Sequence, residues 1–191
     1  MKTDLFLRLS RLCGVGLTAL LCACSAENAA SVRQNVQTAE ALIDAFYSFD
    51  PNQLAPLLVA APDSADGLMF YQGWAEGGNY KILERKACVA KAEQTVVCAI
   101  TVDDDPMLAL GIDYKVTDTF TLSFEDGVLT AVKNSSDDQP IYYEAYEWVV
   151  ANKPEVMSGP CQGFFKDGPT PGDCARAMTA GYREFAEQLN E

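Results

Sequence analysis

Tyr114-Lys115-Val116-Thr117-Asp118-Thr119-Phe120-Thr121-Leu122-Ser123-Phe124, then Glu125-Asp126-Gly127 and Val128-Leu129-Thr130-Ala131-Val132, is the stretch on which the fold turns. Side chains of a strand point to opposite faces in turn. One face therefore carries Tyr114, Val116, Asp118, Phe120, Leu122 and Phe124, and the other carries Lys115, Thr117, Thr119, Thr121 and Ser123. The β-branched and aromatic content and the Asp-Gly turn predict a strand running into a hairpin. Asp118 is the exception on the apolar face. A carboxylate left unpaired in such surroundings has a raised pKa, which is how a general acid or base is made. The same position also suits a structural carboxylate paired with Arg85 or Lys86 on a neighbouring strand, or held by backbone hydrogen bonds.

Upstream, Tyr80 to Ala90 and Thr95 to Val102 read as two more strands around the polar turn Lys91 to Gln94. Asp103-Asp104-Asp105-Pro106 is expected as a solvated hairpin tip. Calcium is the rival reading, but the spacing of a known calcium loop is missing. Further upstream the period changes. Val36, Ala39, Ile43, Phe46 and Phe49 recur at three- and four-residue steps, predicting a helix over Ser31 to Phe49. Asp50-Pro51 pairs an N-cap with a proline at the first helical position and predicts a second helix with Leu54, Leu57 and Leu58. Pro62 and Asp63 are read as a break. Ser64 or Asp66 then caps a third helix, with Leu68, Tyr71 and Trp74, that stops at Gly77-Gly78. Downstream, Asn134 to Asp138 reads as a polar loop. Pro140 opens a helix to Ala151 bearing Tyr142, Tyr143, Tyr146 and Trp148, and Ala175 to Leu189 forms a last amphipathic helix.

The N-terminus reads as an export signal. Lys2, Arg8 and Arg11 precede an uncharged run from Leu12 to Ala23, too short to span a bilayer. Leu21-Cys22-Ala23-Cys24 resembles the bacterial lipobox, which implies cleavage before Cys24, acylation of Cys24 and a membrane anchor made of lipid alone. The expected address is the cell envelope, most simply the outer membrane facing the periplasm. Ordinary cleavage near Ala26, releasing a soluble secreted protein, is the alternative. Four cysteines then remain beyond the lipid site. Local pairing of Cys88 with Cys98 and of Cys161 with Cys174 is expected in an oxidising compartment, and a four-cysteine zinc site is the alternative. The Asn134-Ser135-Ser136 sequon is discounted in a bacterial envelope protein.

Composition excludes whole classes of function. The 191 residues include no histidine, which removes Ser-His-Asp and Cys-His catalysis and histidine-ligated metals. The formal net charge is −13, unsuited to nucleic acid or anionic lipid. Removal of residues 1–23 takes away three basic residues and one acidic residue, leaving 11 basic against 26 acidic, a net of −15. No nucleotide fingerprint, phosphate loop or internal repeat is present, so no cofactor and no metal are expected.

Helices followed by a strand meander give an α+β class. Two stretches sharpen it. Ala39-Glu40-Ala41-Leu42-Ile43-Asp44-Ala45-Phe46-Tyr47-Ser48-Phe49-Asp50, with Leu54 and Leu57 beyond, resembles the opening helices of the nuclear transport factor 2-like superfamily. Thr119 to Leu129 resembles that family's final hairpin. The resemblance covers about residues 31–135. It implies N-terminal helices packed on a curved antiparallel sheet that closes into a cone with a pocket, as in ketosteroid isomerases, polyketide cyclases and many non-catalytic binding domains. The expected organisation is a signal peptide over 1–23, a tether over 24–30, the cone domain over 31–152 and a disulfide-stapled helical extension over 153–191.

The function expected from these features is a non-catalytic binding or accessory module of the envelope. Its partner would be a small apolar ligand held by Tyr71, Trp74, Tyr80 and Asp118, or an envelope protein met by the aromatic surface. Ordinary core packing is the rival role for these aromatics. The alternative function is an isomerase- or cyclase-like enzyme with Asp118 as base and Tyr80 or Tyr114 donating to a developing oxyanion.

Overall fold

The computed structural model describes residues 16–162 and 171–190, with side chains from residue 28 onward. Helix α1 (Gly16–Phe46) runs unbroken through the expected tether segment 24–30. No proline or glycine interrupts the chain from Leu17 to Asp50, and its alanines favour the helix. Residues 1–15, part of the expected export signal, and the side chain of Cys24 lie outside the described part. Among the described residues no helix is long and apolar enough to cross a membrane.

Asp50 caps α2 (Pro51–Leu54) as expected, its carboxylate accepting from the Asn52 amide at 2.9 Å. A 3-10 turn over Ala55–Leu58 leads into α3 (Pro62–Gly77). Pro62 starts this helix instead of breaking the chain, because the first helical position needs no amide donor. Ser64 is therefore inside the helix, and its hydroxyl accepts from the Val132 amide.

The sheet has five antiparallel strands: β1 (Lys81–Arg85), β2 (Val89–Ala92), β3 (Thr95–Asp103), β4 (Val116–Glu125) and β5 (Val128–Ser136). The order is β1-β3-β4-β5, with β2 sharing the β1 edge of β3. Tyr80 to Ala90 is thus two short strands and not one. The chain bends over 86–88, where the Cys88 amide leaves the ladder and donates to Glu40 Oε1 at 2.6 Å. The β2–β3 turn is Glu93-Gln94, with an irregularity between Ala90 and Ala92 in place of a longer loop. Asp126 and Gly127 both have positive φ, 49° and 78°, which is the two-residue turn whose twist suits a hairpin.

β4 carries the expected alternation, with Val116, Asp118, Phe120, Leu122 and Phe124 all buried. β5 outlasts its expected end and pairs through Ser136, so Asn134 to Ser136 is strand and not loop. The acidic run is not a hairpin tip either. Asp104 is buried and caps α4 (Asp105–Ala109), its carboxylate accepting from the Met107 amide at 2.7 Å. Asp103 pairs with Lys115 at 2.6 Å.

α1 lays Ala39, Leu42, Ile43 and Phe46 on the buried face of the sheet. After the hairpin come α5 (Pro140–Asn152), α6 (Pro154–Ser158) and α7 (Pro171–Leu189). The middle of the stapled loop, 163–170, lies outside the described residues. α7 is not an appendage. Ala175, Met178 and Tyr182 belong to the same buried cluster as α1 and the sheet. α3 and α7 cross closely at Gly77 and Gly172, where a Cβ on Gly77 would collide with the Gly172 backbone.

Both local disulfides are present, Cys88–Cys98 and Cys161–Cys174, with Cα separations of 4.3 and 4.6 Å. They remove the zinc alternative. Two bridges of this kind belong to an oxidising, extracellular-type compartment.

Candidate functional site

Asp118 sits in the first half of β4, paired with Ile100 on β3 and Ser136 on β5, and has no solvent exposure. Among the described residues no cation pairs with it. Arg85, one of the alternatives considered for its partner, turns to α1 instead, bonding Glu40 at 2.7 Å and also pairing with Asp44. Three hydroxyls serve Asp118. Tyr47 donates to Oδ2 at 2.7 Å, while Tyr71 at 2.5 Å and Ser136 at 2.7 Å donate to Oδ1. Tyr71 and Ser136 also touch each other at 3.1 Å. Burial raises the Asp118 pKa, and the bonds from Tyr71, Ser136 and Tyr47 oppose it without cancelling it. The three donors arrive from α1's end, α3 and β5, so the carboxylate ties both helices to the sheet.

A further buried acid, Asp104, and a half-buried one, Asp138, stand in the same region. Burial raises Asp104 to about 7, with Asp138 and Asp118 adding repulsion. Asp138 rises to about 6, again through burial and then through Asp118 and Asp137. Burial, with this negative surround, holds the Tyr71, Tyr80 and Tyr142 hydroxyls protonated far above the usual tyrosine range.

A cavity of about 470 Å³ opens beside Tyr71. α3 contributes Gly67, Phe70, Tyr71 and Trp74 to its wall. β5 contributes Asn134, and α5 contributes Tyr142, Tyr143 and Tyr146. The helical spacing sets this up. Phe70, Tyr71 and Trp74 lie within one turn of α3, and Tyr142, Tyr143 and Tyr146 within one turn of α5, so two aromatic faces meet across the gap. The size suits a small organic ligand.

Of the residues expected at a ligand site, Tyr71 and Trp74 line the cavity. Asp118 and Tyr80 are not among its lining residues. Tyr80 is buried with its ring edge-on to Tyr71 at 6.3 Å between centroids. Tyr114 is brought to neither group; it lines a separate cavity of about 390 Å³ with Pro140 and Glu144, and Asp137 raises its pKa by hydrogen bonding. The aromatic residues of α5 have two roles. Tyr142 packs edge-on against Tyr182 and Trp148 lies tilted against Phe185, holding α7, while Tyr142, Tyr143 and Tyr146 also wall the cavity.

Two polar residues that matter here were not singled out from the sequence. Tyr47 lies one residue beyond α1 and supplies a bond to Asp118. Gln72 is buried on α3 and donates to the carbonyls of Ala45 and Phe46 at 3.0 and 3.1 Å, closing the C-terminus of α1. A signal for Gln72 existed: it follows Leu68 by four positions, a polar residue on the apolar stripe of its helix. The chain matches no protein-family model, and comparison with curated proteins and with solved structures finds no match to it.

Proposed function

We propose that the protein is an exported, lipid-anchored binding module of the bacterial envelope that holds a small, largely apolar ligand between the aromatic faces of α3 and α5. The observation that carries this reading is the cavity of about 470 Å³ with six aromatic side chains in its wall. The lipobox-like Leu21-Cys22-Ala23-Cys24 supports the anchor, and the two disulfides agree with export. Support for a nuclear transport factor 2-like cone comes from the helix α1 laid on the buried face of an antiparallel sheet and from the β4–β5 hairpin. A binding role fits better than an enzymatic one, because Asp118 already receives three hydroxyl donors and is not a lining residue.

Gly67 offers a clean test. It lies in the wall, and a Cβ there meets nothing within 4 Å. A Gly67→Leu variant fills the cavity while improving helix propensity. Titration of the full-length protein with fluorescent 2-naphthol should show saturable binding that this variant loses without a fall in Tm. Equal binding by both proteins, or none by either, refutes the cavity as a ligand site. The anchor is tested separately by metabolic labelling with an alkyne fatty acid, which Cys24→Ser should abolish.

A further inference from the structure

We propose that this cavity selects cations with an apolar shell, such as quaternary ammonium compounds, over neutral compounds of the same shape. The inference rests on the cavity being a ligand site and adds the chemistry of its occupant. The wall carries Phe70, Tyr71, Trp74, Tyr142, Tyr143 and Tyr146, and among the described residues no lysine or arginine lines it. The face of each ring bears the negative side of a quadrupole, and several faces around one site hold an alkylated ammonium that has little hydration to lose.

The groups behind the wall reinforce this. The hydroxyl of Tyr71 donates to Asp118 at 2.5 Å, and that of Tyr143 lies 3.5 Å from Asp138. A phenol that donates to an anion has a more electron-rich ring, so the carboxylates act on the cavity through the tyrosines. An anionic ligand would meet this acidic surround with no basic partner among the described lining residues. A neutral one would gain burial but nothing from the field. The chain's formal charge of −13 also draws cations toward the surface.

Choline and 3,3-dimethylbutan-1-ol differ by a single charged atom, nitrogen for carbon, and separate shape from charge. Each is titrated against 2-naphthol bound to the full-length protein at about pH 7.5, where Asp138 is ionised. Choline should displace the probe at a concentration at least about tenfold lower than the alcohol. Asp138→Asn should weaken choline at least about threefold and leave the alcohol unchanged. Equal displacement, tighter binding of the alcohol, or no displacement by choline overturns the cation preference while the cavity reading stands. Failure of 2-naphthol itself to bind ends both.

Discussion

Tyr71 and Asp118 are joined by a 2.5 Å hydrogen bond between α3 and β4, and Tyr71 at the same time lines the aromatic cavity. The tyrosine is thus shared by a buried acid and a ligand-sized space. Its hydroxyl end is fixed by the carboxylate and by Ser136, and its ring packs against Phe46 at 5.3 Å between centroids. A fully satisfied buried network of this kind specifies one packing of its neighbours, since any shift leaves a donor or acceptor unmet in a low-dielectric interior.

Removing one donor should therefore be costly. In Tyr71→Phe the Asp118 carboxylate keeps two of its three hydroxyls, and Tyr47→Phe likewise leaves two. Each should destabilise the protein by about 1–3 kcal/mol, the range for a buried polar group deprived of a partner. Urea denaturation checks this, and the double variant should depart from additivity because both tyrosines serve one carboxylate. An unchanged midpoint in both single variants would show that the network contributes nothing to stability.

The buried acids reverse the usual pH dependence of a carboxylate. Asp104 is raised in the folded protein to about 7, chiefly by burial, against 3.8 as the ordinary value. Between those pH values the folded state holds a proton that the unfolded chain has released. Its contribution to stability is fully present below about 3.8 and is lost as pH rises through about 7. Asp138, raised to about 6, acts in the same sense. Stability should thus fall from pH 5 to pH 8, with a slope of up to about 1.4 kcal/mol per pH unit for each proton involved. Asp104→Asn keeps an N-cap for α4 and should flatten the slope. Denaturation midpoints across that range decide it, and a flat or rising wild-type profile would be the contrary result.

How far the sequence carried follows from where each contact originates. Alternation in β4, the Asp50-Pro51 cap and the local pairing of the cysteines are written in neighbouring residues, and all three are found in the structure. Asp118's singularity on its apolar face was equally legible. Its partners were not, since Tyr71 and Tyr47 lie 47 and 71 residues away and reach it only through the docking of two helices on the sheet. The polar end of β5 was misread for a related reason. Asn134 and Ser135 are exposed in a strand whose ladder to β4 holds them, so their composition resembles a loop. Asp104 was hidden by its acidic neighbours, because three aspartates in a row suggest water and only packing buries the middle one.

The Cys161–Cys174 bridge should stabilise the protein chiefly through the unfolded chain. It closes a loop of 13 residues' separation and fastens the start of α7, whose Met178 and Tyr182 are buried in the common cluster. The double substitution Cys161→Ser with Cys174→Ser should cost about 3 kcal/mol by loop-closure entropy. Because α7 shares the core, unfolding should remain a single transition, with fluorescence and circular dichroism tracing the same curve. Two separated transitions would make the C-terminal segment an independent unit.

Two glycines on one helix should respond in opposite directions to the same methyl group. At Gly67 a Cβ meets nothing within 4 Å, so Gly67→Ala should stabilise the protein by about 0.5–1 kcal/mol through helix propensity. At Gly77 a Cβ would collide with the backbone of Gly172, and backbone has no alternative rotamer to yield into. Gly77→Ala must push α3 and α7 apart and should lose about 1–3 kcal/mol, the usual cost of overpacking, despite the better propensity. Thermal unfolding of the two variants beside the parent protein separates these effects. A Gly77→Ala protein as stable as Gly67→Ala would mean that the helices do not approach at this point.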